Sequence, residues 1–161
     1  YIHVDGKGRN LRYVTFRADG TNDDFLGDTL VAAVGGDSTA YQTAIAVDSD
    51  DKPHVVFIDG KSDMGTDYNT IEYVNKISGW GTVYEREGGT AAKNCINPDI
   101  TTDADNRPCI AYYNSTDNDY GSAQGNTNDA TSFTLYDIST DGSTGTGAQQ
   151  SIAVDSSGNH W

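Results

Sequence analysis

Basic residues are scarce in this chain. Ten Lys and Arg stand against 24 Asp and Glu, for a formal net charge of -14 over 161 residues. So few cations leave no basic patch to neutralise phosphates, which excludes nucleic acid as a partner. The same charge is compatible with cations, neutral glycans and a saline extracellular setting. Long apolar runs are missing too, so neither a transmembrane helix nor membrane insertion is expected, and there is no signal-peptide pattern. The first residue is Tyr1 rather than Met, which points to a processed or excised product. Amphipathic helical spacing is absent throughout, which points to an all-β chain. Cysteine is limited to Cys95 and Cys109. In a hairpin turning near Asp105, Cys109 faces roughly Thr102 and Cys95 lies several residues away, beyond the reach of a disulfide. Two separate thiols are therefore expected.

What the chain does have is repetition. "AIAVDSDDKPHVVFID" from Ala44 returns as "DITTDADNRPCIAYYN" from Asp99 and again as "SIAVDSSGNHW" from Ser151. The Ile residues that open each phrase, Ile45, Ile100 and Ile152, are 55 and 52 residues apart. The third copy reaches Trp161 where the others have His54 or Cys109. The opening "YIHVD" continues it, with Asp5 in register with Asp59 and Asn114. Internal periods of about 50 residues are the mark of repeat architectures.

Each unit reads as four short strands. The first is "IAVD" or "ITTD", followed by the tight turns "SDDK", "ADNR" and "SSGN". These turns place Asp51, Asn106 and Gly158 where a left-handed residue is required, and those three types tolerate positive φ best. The second strand is "HVVFID", "CIAYYN" or "HW" joined to "YIHVD". The third is "NLRYVTF" or "TIEYVNK", with a degraded copy around Tyr120 to Gln124. The fourth is "TLVAAV", "TVYERE" or "FTLYDI". Four strands per unit, repeated, is the pattern of a β-propeller blade. The blade pieces are about 1–43 plus 151–161, 44–98 and 99–150, so that one blade is split between 151–161 and 1–34.

"SIAVDSSGN" leading into "VVFID" or "IAYYN" resembles the repeats of secreted bacterial, archaeal and phage propellers of NHL- or sialidase-like blade type. The resemblance covers the whole chain and implies architecture rather than a particular activity, because propellers host lectins, hydrolases, lyases and scaffolds alike. It also implies a secreted, cell-surface or virion location. A sialidase Asp-box, S-x-D-x-G-x-x-W, is matched by Gly158 and Trp161 but not by Ser156 at the Asp position. Arg9, Arg12, Arg17, Arg86 and Arg107 sit on non-equivalent strands and turns and do not resemble the sialidase arginine triad.

Closed propellers need about four to eight blades, because neighbours must cover each blade's faces. Three blades expose two apolar faces. Further copies of the chain are therefore the expected partner, either as a dimer closing six blades or as a tandem or filament. The joint is formed by Ile152, Val154 and Trp161 of one copy with Tyr1, Ile2 and Val4 of the next.

Candidate binding residues lie on the loops after the second strand. Asp5, Asp59 and Asn114 occupy equivalent positions at one rim, with Lys7, Lys61, Tyr68 and Tyr120 beside them. A ring of polar groups around a ligand is one reading, and Asp or Asn residues capping their own turns is the other. Trp80, between glycines in "SGWGT", offers a ring for stacking on a glycan or an edge that covers the neighbouring blade. Oxygen-rich loops make calcium the one candidate cofactor, with Asp63, Asp67, Asp117 and Asp119 as ligands. "DADNR" and "DSDDK" put Arg107 and Lys52 at the fifth position of the calcium loop and read better as hairpin turns. His3, His54 and His160 fall at non-equivalent positions, Glu85 and Glu87 alternate on an outer strand, and no nucleophile–base set emerges. The expectation is a non-catalytic module that recognises a glycan or surface once assembled. The alternatives are a structural self-assembling subunit and a propeller-type glycoside hydrolase or lyase.

Overall fold

The structure, a computed structural model, describes residues 2–4, 10–16, 25–33, 39–63, 66–76, 84–87, 94–137 and 150–161. All regular elements among them are strands, in order β1 (Ile2–Val4), β2 (Asn10–Phe16), β3 (Phe25–Ala33), β4 (Thr39–Val47), β5 (Pro53–Asp63), β6 (Thr66–Asn75), β7 (Tyr84–Glu87), β8 (Cys95–Thr102), β9 (Pro108–Asn114), β10 (Asp119–Gly125) and β11 (Phe133–Asp137). They build three separate antiparallel sheets, β1-β2-β3, β4-β5-β6-β7 and β8-β9-β10-β11, each a simple meander. The second and third sheets carry the four strands expected of a unit. The first has three strands, and residues 151–161 form a separate hairpin.

The repeated phrase is a repeated structural device. The Asp48 Oδ1 accepts the backbone N–H of Asp50 at 2.9 Å and of Lys52 at 2.8 Å. Asp103 does the same for Asp105 and Arg107 at 3.0 and 2.9 Å, and Asp155 for Ser157 and Asn159 at 2.8 and 3.0 Å. Each turn then closes with a residue at positive φ: Asp51 at 59°, Asn106 at 62° and Gly158 at 82°. A short carboxylate three residues before the left-handed residue satisfies two backbone donors that the tight bend leaves unpaired. The second carboxylate oxygen reaches a different donor in each copy. Asp48 meets His54 Nε2 at 3.2 Å, Asp103 meets Arg107 Nε at 2.7 Å and Gln124 Nε2 at 3.1 Å, and Asp155 meets Trp161 Nε1 at 3.2 Å. At the aligned position His54 and Trp161 each supply this donor, and where Cys109 stands Arg107 and Gln124 supply it instead.

Adjacent sheets interlock at the same spacing. Ser49 donates from its backbone N–H and hydroxyl to Asn106 Oδ1 at 3.1 and 2.9 Å, joining the turns of the second and third sheets. The Ile152 backbone N–H donates to Asp99 Oδ2 at 3.0 Å, joining the 151–161 hairpin to the third sheet. The core lies between the second and third sheets. Val56, Ile58, Ile71 and Tyr73 on one side meet Cys95, Ile100, Ile110, Tyr112, Ala123 and Ala130 on the other. Val56 pairs with Tyr73 and Ile58 with Ile71, so the four share one face of their sheet. Burying each of these side chains stabilises the fold by roughly 1.5–3 kcal/mol.

Both cysteines are free and buried. Cys109 stands opposite Thr101 and Cys95 opposite Asn114, close to the expected register. Burial, with Asp103 nearby, pushes the Cys109 thiol up to about 12, so it is an inert packing group.

The turns make the fold acid-sensitive. Burial raises the Asp48 carboxyl, but the N–H groups of Lys52 and Asp50 and the His54 ring outweigh it, and the net shift is downward. Asp103 is likewise lowered on balance, burial opposing its bonds to Arg107 and Asp105, and Asp155 falls to about 2 through its bonds to Asn159, Ser157 and Trp161. His54 is lowered by burial despite Asp48. In every case the unfolded chain takes up the proton at higher pH than the folded chain, so stability is lost as pH falls. The urea midpoint is expected to hold above the ordinary His value of 6.5, to decline below it, and to drop steeply once pH passes under the ordinary Asp value of 3.8. A midpoint that stays flat between neutrality and pH 3.8 would show that His54 does not fold neutral.

Candidate functional site

A polar recess opens at the start of the inner strands. β4 and β8 each carry an irregularity, between Tyr41 and Thr43 and between Ile96 and Asp99. At each one a non-glycine residue adopts a left-handed backbone, Gln42 at φ 49° and Asn97 at φ 53°. The extra residue breaks strict alternation and re-aims its side chain. This also explains why the strands start at Thr39 and Cys95, earlier than the units expected from Ala44 and Asp99: regular periodicity is visible only beyond the bulge.

Gln42 and Asn97 are the same position of the repeat, and they bond each other across the sheet boundary. Gln42 Nε2 donates to Asn97 Oδ1 at 2.7 Å, and the Asn97 backbone N–H donates to Gln42 Oε1 at 2.8 Å. They line a depression of about 310 Å³ with Thr43, Pro98 and Gln150. Thr43, Pro98 and Gln150 are again one repeat position, each two residues ahead of the Ile that opens its copy. The Gln150 Nε2 is buried without an acceptor among the described residues. Among the described residues the lining contains no ionisable group. Carboxamides both donate and accept, which suits hydroxyl groups rather than ions.

The recess lies at the end of the sheets where the sequence placed the polar rim, since Ala40 stands opposite Asp59 and Cys95 opposite Asn114. The rim residues themselves are differently disposed. β5 runs on to Asp63 rather than ending at Asp59, because the following residues pair directly with β6. Asp59 is therefore a buried strand residue opposite Thr70. Lys61 stands opposite Tyr68, Ser62 opposite Asp67 and Asp63 opposite Thr66. Asn114 caps its own turn, accepting the Thr116 N–H at 3.1 Å and donating to Asp117 Oδ2 at 2.8 Å. Tyr120 packs on Tyr113 with ring centroids 5.2 Å apart. Asp119 pairs with Asn114 through the backbone. Among the described residues, no three His, Cys, Asp or Glu side chains converge as metal ligands. Tyr1, Asp5, Lys7 and Trp80 lie outside the described residues. Ile2 and Val4 stand in β1 opposite Tyr13 and Leu11.

His54 has both ring nitrogens engaged, Nε2 with Asp48 and Nδ1 with the Tyr73 hydroxyl at 2.6 Å. This is a sealed, fully buried arrangement with no substrate access. The two recess carboxamides Gln42 and Asn97 were not singled out from sequence. The available signal was their 55-residue spacing, three residues ahead of Ile45 and Ile100. Comparison with protein-family models, with curated proteins and with solved structures finds no match to this chain.

Proposed function

We propose that the three meanders are blades of a β-propeller and that the chain is a non-catalytic extracellular binding module. Its ligand is a neutral, hydroxyl-rich molecule of the glycan class, held at the axial recess. The observation that carries this reading is the convergence of Gln42 of β4, Asn97 of β8 and Gln150, which precedes the 151–161 hairpin, on one depression whose described lining is uncharged. In a chain of net charge -14, the described lining carries amide and hydroxyl groups and no carboxylate, which favours hydrogen bonding as the means of recognition. Left-handed non-glycine residues persist only where the surroundings hold them, and they cluster at functional sites.

The test is a titration of isotope-labelled protein with a panel of neutral mono- and disaccharides, read on side-chain amide signals. Saturable shifts at Gln42, Asn97 and Gln150 are expected. Asn97→Gly, which keeps the left-handed backbone free of strain, should weaken binding about three- to tenfold, the loss of one neutral hydrogen bond. Shifts that avoid these amides, or that survive Asn97→Gly unchanged, would remove the recess as the site.

A further inference from the structure

One of the three Asp-centred turns leans on a group that titrates near neutrality. The second carboxylate oxygen of Asp103 is held by Arg107 and Gln124, and that of Asp155 by Asn159 and Trp161, donors whose charge is fixed at physiological pH. That of Asp48 is held by the imidazole of His54. The ring is fully buried, and its hydrogen bonds set its protonation. A carboxylate only accepts, so Nε2 carries the hydrogen given to Asp48 and Nδ1 accepts from the Tyr73 hydroxyl at 2.6 Å. Two β6 residues flank this ring, and both hold the third sheet. Asn75 stands opposite His54, and its Nδ2 donates to the Asp129 carbonyl at 2.6 Å. The Tyr73 ring meets Phe133 edge-on and shares a cluster with Ala130. Asp129 and Ala130 lie in the 126–132 segment that leads from β10 into β11. Ala130 is fully buried with a left-handed φ of 40°, a backbone that persists only while its surroundings hold it.

We infer that His54 is an acid-sensitive latch: a proton taken up on its Nδ1 releases the 126–132 segment from the second sheet while the Asp48 turn stays closed. The proton turns Nδ1 from an acceptor into a donor, so the Tyr73 hydroxyl can no longer donate to it and must reorient beneath Phe133. On the other side of the ring the new charge strengthens the bond to Asp48, which keeps the turn. A buried cation also favours any state in which water reaches it. Among the described residues Asp48 is the one charge that acts on the ring. β4 presents Ala46 opposite His54, and β6 presents the Tyr73 hydroxyl and the neutral Asn75. β8 brings Cys95 and Ile100 to this interface, while Asp99 turns to the Ile152 N–H and Asp103 to Arg107 and Gln124. The Asp129 carboxylate accepts the Thr127 hydroxyl at 2.6 Å. Burial holds the imidazole below its ordinary value of 6.5 despite Asp48. The latched chain therefore takes up this proton less readily than an opened one, and acid favours opening. Nothing in the latch depends on what the recess binds.

The test is nitrogen NMR and amide hydrogen exchange on the full labelled chain as pH is lowered through 6.5. At neutral pH the ring signals should show Nε2 protonated and Nδ1 bare. Two amides of the segment carry internal bonds, Asn126 to the Ser132 carbonyl and Ala130 to the Thr127 carbonyl. Corrected for intrinsic exchange, their protection should fall about tenfold per pH unit below 6.5, the slope of one proton. The amides of Asp103 and Asn106, bonded within the third sheet's own turn, should keep theirs. His54→Gln still offers Asp48 a donor but takes up no proton, and it should remove the slope; His160→Gln should leave it. A slope that survives His54→Gln overturns the inference, as does an Nδ1 already protonated at neutral pH. So does an equal slope at Asp103 and Asn106, which marks uptake on global unfolding alone. Near-ultraviolet circular dichroism at neutral pH checks that His54→Gln is folded. Should it misfold, the ring signals and the contrast between the two sets of amides in the parent chain decide the matter.

Discussion

Tyr73→Ala is expected to lower unfolding free energy by about 3–5 kcal/mol, the range for removing a large buried aromatic. Tyr73 is fully buried and stands in the middle of the core between the second and third sheets. Its ring meets Phe133 edge-on with centroids 5.1 Å apart, and its hydroxyl bonds His54 Nδ1 at 2.6 Å. Removing the side chain opens a cavity between sheets and strips the buried His54 of one of its two partners. Tyr73→Phe separates these effects, because it keeps the ring and should cost about 1–3 kcal/mol for the imidazole nitrogen left without its bond. Urea unfolding measures both. Equal midpoints for Tyr73→Phe and the parent chain would mean that the hydroxyl bond adds nothing to stability.

The second large effect is expected at Gly121. A Cβ there would lie 2.4 Å from Tyr112 Cζ and 2.6 Å from its hydroxyl oxygen. Gly121 and Tyr112 are directly opposed in the β9–β10 ladder, so the tyrosine ring covers the glycine. Tyr112 is itself buried in the inter-sheet core and has no free direction in which to move. Gly121→Val should therefore destabilise by about 3 kcal/mol through overpacking. Gly158 provides the contrast. Nothing lies within 4 Å of its Cβ position, but its φ of 82° is left-handed. Gly158→Ala should cost only about 1–2 kcal/mol, and for a conformational reason. Should the two variants shift the urea midpoint equally, steric crowding by Tyr112 would not be the cause at Gly121.

Much of the sheet plan was legible because strands and tight turns are local. The short apolar runs in "HVVFID" and "CIAYYN", buried on both faces, are bounded by turn signals, and Asp51, Asn106 and Gly158 are turn residues whose chemistry matches their backbone. Even the degraded third strand around Tyr120 to Gln124 was placed within β10. The candidate site was less legible. Asp59, Asn114 and Tyr120 drew notice as polar or aromatic residues near loop starts, yet one is a buried strand residue, one caps a turn and one packs on Tyr113. Nothing in the sequence separates an Asp that faces a ligand from one that serves its own backbone. Gln42 and Asn97 escaped notice because a bulge has no reliable local signature.

By itself, then, the sequence determined the all-β class, the 52- to 55-residue period and the position of each Asp-centred turn. These follow from short-range rules: short apolar runs between turn signals set the strands, and a carboxylate followed by a residue tolerant of positive φ sets the bend. Only the tertiary structure decided which repeat positions meet. It joined Gln42 to Asn97 and Ser49 to Asn106 across a sheet boundary, and it gave Asp48, Asp103 and Asp155 three different second partners. Those contacts depend on how one twisted sheet packs on the next, and that is set by the summed shape of two buried faces rather than by any one stretch of residues.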